Sequence, residues 1–161
     1  MKIIDALTKN LAYLTAFVLV LLVALILYDA TARYLFSEGS TALQELEWHF
    51  FDVIILLSIP YTLQQNSHVR VDIFYDTYSE KTKLLINIMT YILFIVPLSF
   101  LIVYISIDFV TLSFIQNEVS SDPGGLSYRW IVKSLMPLAF VFLTLQAFKE
   151  LLKNIKLWKQ L

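Results

Sequence analysis

The chain has 161 residues, 58% of them hydrophobic and only 16% charged, with a net charge of −1. Its mean hydropathy is +0.71, whereas water-soluble domains are about 45–50% apolar and about 25% charged. A soluble domain is thereby excluded and a single all-α integral membrane domain is expected over 1–161; nothing favours nucleic acid as a partner, and the absence of cysteine excludes disulfides, thiol catalysis and iron–sulfur clusters.

A short start carrying Lys2 and Lys9 leads into a first apolar run, residues 11–32. Its 22 residues make about 33 Å of helix, enough for a bilayer core of about 30 Å. A cleaved signal peptide is the rival reading, but the run exceeds the usual apolar length and Tyr28 and Asp29 sit badly before a cleavage site. Asp29 and Arg33 have the i, i+4 spacing of a helical ion pair. A turn follows, with Gly39 as the expected breaker and Thr41, three residues before Gln44, as the expected cap of the next helix.

The second span is expected over residues 43–65, with Pro60 near its end. The polar connection after it holds Val71, Phe74, Tyr75 and Tyr78 at helical spacing, which predicts a short amphipathic interfacial helix between helices 2 and 3. The third span covers residues 84–109 with Pro97 inside it; a long loop with a turn cluster at residues 120–125 follows. The fourth covers residues 128–151 and runs into a tail of lysines with Trp158 as an interface anchor. The termini and the middle connection carry nine of the twelve lysines and arginines, the two other loops Arg33, Arg129 and Lys133. That asymmetry predicts a multi-pass protein with both termini in the cytoplasm.

On the second helix, Glu45, His49 and Asp52 share a narrow arc and Glu47 points away. Such a face has the donors a metal or a proton relay would use. With no second histidine or further carboxylate nearby, the preferred reading is interhelical pairing with Arg33, Arg129 and Lys133. In that reading Glu45 or Asp52 meets Arg129 or Lys133, Glu47 meets helix 1 or a partner, and this is the one polar cluster in the membrane. His49 and His68 lie 19 residues apart, about 28 Å along a helix, too far to share a haem, so no cofactor is expected. No catalytic signature is present, and an enzyme is not expected. His68, Arg70 and Asp72 alternate along the connection after helix 2, which by the residues alone reads as a solvated interface segment, with contact to headgroups or a partner chain as the alternative.

The segments LQELEWHFF (43–51), YTLQQNSHVRVDIFYD (61–76), E-x-S-x-D-P-G-G-L-x-x-R-W-x-x-K (118–133) and LMPLAFVFLTLQAF (135–148) together cover most of the chain from helix 2 onward. In them the sequence resembles the small, DctQ-type membrane subunit of the tripartite ATP-independent periplasmic (TRAP) transporters, in the branch labelled mannitol/chloroaromatic. One departure is Ser67, where the family usually has glycine before the histidine. The resemblance implies a four-helix scaffold subunit in the bacterial inner membrane that braces a large DctM-type subunit. It also implies a DctP-type periplasmic binding protein that delivers an organic acid for sodium symport. The alternative is a self-sufficient channel or transporter made by a homo-oligomer of four-helix subunits.

Overall fold

Hydrocarbon offers no hydrogen-bond partners to a bare backbone, so apolar runs of this length must satisfy their own amides as helices. In the computed structural model, which describes residues 2–65, 75 and 77–161, four helices do so: α1 (Lys2–Phe36), α2 (Thr41–Gln64), α3 (Glu80–Ile115) and α4 (Trp130–Trp158). Each is long and apolar enough to cross a membrane. The interfacial helix expected after the second span falls largely on residues 66–74 and 76, outside the described residues, and so do His68, Arg70 and Asp72.

The helices are longer than the apolar runs, because hydropathy marks the hydrocarbon while hydrogen bonding continues past it. The 35 residues of α1 span about 52 Å. Its end is set by Ser37, which takes a left-handed conformation (φ 56°), not by Gly39, and Glu38 N–H reaches back to the Ala32 carbonyl at 3.2 Å. The cap of α2 is Ser40, whose hydroxyl accepts from Leu43 N–H at 3.4 Å, rather than Thr41. In α3 a single π-turn, Tyr91–Ile95, lies just before Pro97; proline has no N–H to give the preceding turn, and the wider turn absorbs the mismatch. The helix then continues six residues beyond 109 to Ile115. It ends in a Schellman arrangement, with Asn117 left-handed (φ 45°) and Glu118 N–H on the Ser113 carbonyl at 3.0 Å. That stop places Glu118 at the foot of the following loop.

Packing follows the order α1–α2–α4–α3, a row rather than a closed bundle: among the described residues α1 and α3 share no packed face. Buried positions recur every seven residues, at Thr8, Thr15, Leu22 and Asp29 on α1 and at Ser99, Ser106 and Ser113 on α3. A seven-residue repeat is the seam of a left-handed supercoil, and its small side chains let helices approach closely. Leu63, Tyr91, Leu143 and Ala147 form the small apolar core joining α2, α3 and α4. Hydroxyls along the spans bond to their own helix: Thr62 donates to the Ser58 carbonyl at 3.1 Å, Thr144 to Phe140 at 2.7 Å, and Ser99 and Ser106 to carbonyls one turn back. Most of the remaining polar side chains gather at the two ends of the row, with His49 and Asp52 nearer the middle of α2.

Candidate functional site: two polar ends

At one end the loop between α3 and α4 folds back onto α2. The loop closes on itself through Ser120 N–H to the Leu126 carbonyl and Gly125 N–H to the Asp122 carbonyl, both at 3.0 Å. Glu45, nearly buried in the first turns of α2, fastens it: one carboxylate oxygen accepts from the Ser120 hydroxyl and the other from Leu126 N–H at 2.6 Å. A side chain at Gly125 would meet Ser120 and stand 2.8 Å from the Glu45 carboxylate, so the close approach requires glycine. Arg129 lies 3.9 Å from Glu45. Lys133 does not reach Glu45 or Asp52; it is taken by Glu118 and covers the Phe109 ring at 4.1 Å. Lys133 holds the Glu118 carboxyl below its ordinary range, with Ser113 adding to the effect.

Beside this lid is a cleft of about 470 Å³ whose lining includes Glu45, Trp48, His49, Asp52, Arg129 and Lys133. His49 and Asp52 act on each other electrostatically. Among the described residues no three His, Cys, Asp or Glu side chains gather closely enough to hold a metal. Glu47 faces α1, within electrostatic reach of Asp29 and Arg33. Asp29 is buried and paired with Arg33, and the Gln44 amide, oriented with its oxygen toward Arg33, accepts both guanidinium nitrogens at 2.7 and 3.0 Å. One oxygen of Asp29 and one of Glu47 are buried with no hydrogen-bond partner.

The opposite end carries a second polar cluster, and the expectation of a single one is corrected. Asp5 of α1 accepts from Lys149 of α4 and, at 2.7 Å, from Gln64 of α2. Lys149 also donates to Glu150 at 3.1 Å, as does Gln146. Thr8 donates to Gln146 at 3.2 Å, and Asn87 of α3 reaches Asn154 of α4 at 3.5 Å. Gln146, Lys149, Glu150 and Asn154 are all buried. Each member is hydrogen-bonded, and the network touches all four helices.

The family model of the tripartite ATP-independent periplasmic transporters, DctQ component, matches residues 22–157. The chain belongs to the DctQ family. It is also 23% identical to a protein of Haemophilus influenzae described as a TRAP transporter small permease protein, over 145 residues covering 90% of this chain and 87% of that one. The DctQ chain is therefore a small subunit of a TRAP transporter, a transporter component and not an enzyme, and a multi-pass protein of the inner membrane.

Within this DctQ subunit the run from Glu118 to Lys133 now has a physical reading. Glu118 takes Lys133, Ser120 and Leu126 take Glu45, Gly125 clears Glu45, and Arg129 stands beside it. Sequence reasoning singled out Arg129 and Lys133 as cations but missed Glu118 as the partner, because the loop was treated as a turn cluster. It used Lys149 and Lys153 only to count charge and passed over Asp5, Gln146 and Glu150. The available signal was Gln146 and Glu150 one turn apart in an apolar helix with Lys153 three residues on, where a polar face demands a partner.

Proposed function

We propose that this subunit braces the large membrane subunit of a sodium-driven TRAP transporter, which takes up an organic acid delivered by a periplasmic binding protein. The observation that carries this reading is the distribution of polar groups. Among the described residues, charged side chains other than Asp52, which stands halfway along α2 on the wall of the cleft, sit toward the two ends of the helix row and bond mainly to one another, while hydroxyls such as those of Ser106 and Thr144 bond to their own backbone. A translocation path needs polar groups facing a cavity at mid-depth; a brace needs rigid ends and broad apolar faces, and α1 and α3 expose theirs along their length. The lid end belongs on the periplasmic side by the lysine and arginine count, with both termini in the cytoplasm. There the lid and its cleft are placed to meet the large subunit or the binding protein, and His68, Arg70 and Asp72 would face headgroups or the large subunit on the other side.

Proteoliposomes are the test. This chain alone should transport no carboxylate under a sodium gradient, and the same vesicles with the large subunit and the binding protein should. Uptake by this chain alone would replace the brace with a self-sufficient homo-oligomer. Orientation is read from single cysteines in the cysteine-free chain: an impermeant maleimide should label Ser121→Cys and not Ser79→Cys in intact cells.

A further inference from the structure

We infer that the groove between the inner ends of α1 and α2 is a binding site for an anionic phospholipid. The groove is lined by Asp5, Ala6, Lys9, Tyr61, Gln64 and Gln65 and measures about 510 Å³. Asp5 stands one turn before Lys9, the position from which a carboxylate ordinarily neutralises a helical lysine. It is engaged elsewhere, by Lys149 and Gln64. Lys9 is left with only the Tyr13 ring, 5.7 Å away, and neither Lys9 nor the Tyr61 hydroxyl has an acceptor among the described residues. A groove that presents one ammonium and one hydroxyl donor without an acceptor among the described residues suits a phosphodiester.

What continues from it suits acyl chains. Tyr13, Phe17, Val20 and Leu27 follow Lys9 along one side of α1, each more than half exposed. Helical geometry puts them within about 80° of Lys9. Phe17 lies about 12 Å and Val20 about 16 Å along the axis, the depth of one leaflet of a core of about 30 Å, so a headgroup at Lys9 would lay its chains on Tyr13, Phe17 and Val20, with Leu27 beyond their reach. A cationic polar end running directly into an apolar strip is the pattern of a phospholipid and not of a free phosphate, which would leave the strip unused. A zwitterionic headgroup brings its own cation and gains less from Lys9.

The full-length protein, purified with any membrane subunit that accompanies it, is titrated in mild detergent with phosphatidylglycerol or with phosphatidylcholine of the same chain length. Lipid bound to this chain is counted by native mass spectrometry. Phosphatidylglycerol should bind about fivefold more tightly, the ratio that one lysine near an anionic headgroup supplies. Lys9→Gln should abolish the preference, Lys9→Arg should keep it, Tyr61→Phe should weaken it partly, and Lys159→Gln should leave it unchanged. Glycerol phosphate, which lacks chains, should not displace the lipid. Equal binding of the two lipids, a preference that survives Lys9→Gln, or displacement by glycerol phosphate as effective as by the lipid would each overturn the proposal. It stands independently of transport by the complex, since its readout is lipid bound to this chain.

Discussion

The two polar ends of the molecule hold the same helices by different means. The lid end is built largely from one stretch of chain, residues 118–133, folded onto a single acid of α2, and its ion pairs are partly exposed: Lys133 is 19% and Glu118 29% accessible. The opposite end is built from single side chains on four helices around a core in which Lys149 and Glu150 are each 8% accessible, with Asp5 at its edge 41% accessible. Removing one member of a buried ion pair strands the other and costs about 3–5 kcal/mol, whereas exposed pairs contribute about 0–1 kcal/mol. The buried end therefore carries the mutual arrangement of the helices, and the lid end carries the shape of a surface.

That division predicts a graded series. The largest effect belongs to Lys149→Met, which leaves Asp5 with Gln64 alone and the buried Glu150 with Gln146 and the exposed Lys153; unfolding in detergent should show a loss of about 3 kcal/mol. A loss no greater than that of Lys159→Met would erase the distinction between the ends. Next is Glu45→Gln, which swaps a charged acceptor of Leu126 N–H and the Ser120 hydroxyl for a neutral amide. A cost of about 1–3 kcal/mol is expected, confined to the lid: amide exchange should rise at residues 118–126 and stay unchanged in α4. Acceleration throughout would mean that the lid also holds the helices.

The third effect depends on pH. The Lys133 partnership holds Glu118 below the ordinary glutamate value of 4.5. A depressed carboxyl contributes stability that is fully present above the ordinary value and is lost as pH falls from there through the folded value. A spin label at exposed Ser121 should be equally immobile at pH 7 and pH 5.5 and should loosen below about pH 4.5. Glu118→Gln should remove that step; an unchanged step in the variant would assign it to another group. The smallest effect is at Glu47, which holds a buried oxygen without a partner next to the paired Asp29. Glu47→Gln should change stability by under about 1 kcal/mol, because no bond is lost. Asp29→Asn, which takes the paired carboxylate from Arg33 and leaves it with Gln44, should cost more; the reverse order would mean that Glu47 is the acid holding Arg33.

The four spans were legible because hydrocarbon selects long apolar runs and nothing subtler is needed to see them. Their ends were not, since Ser37, Ser40 and Asn117 set them through backbone conformation and capping that hydropathy does not register. The lid end was half legible. Glu45, Arg129 and Lys133 crowd into short charged segments, so their involvement could be read, but Lys133 chose Glu118 because the Schellman stop at Asn117 turns that residue toward it. The buried end was illegible as a unit. Asp5 and Lys149 are separated by 144 positions, and each looks like an ordinary charge at the end of a membrane helix until the row α1–α2–α4 brings them together.

The most direct test of the buried end as the element that fastens the helices is a double-mutant cycle of Asp5→Asn and Lys149→Met, read by reversible unfolding in detergent. A single loss could come from packing alone, but coupling between the two positions could not. The account predicts a coupling energy of about 1–2 kcal/mol, since Lys149 is buried while Asp5 is 41% accessible, with the double variant recovering part of what Lys149→Met loses. Strictly additive losses would contradict it, and the helices of this subunit would then be held by their apolar seams alone.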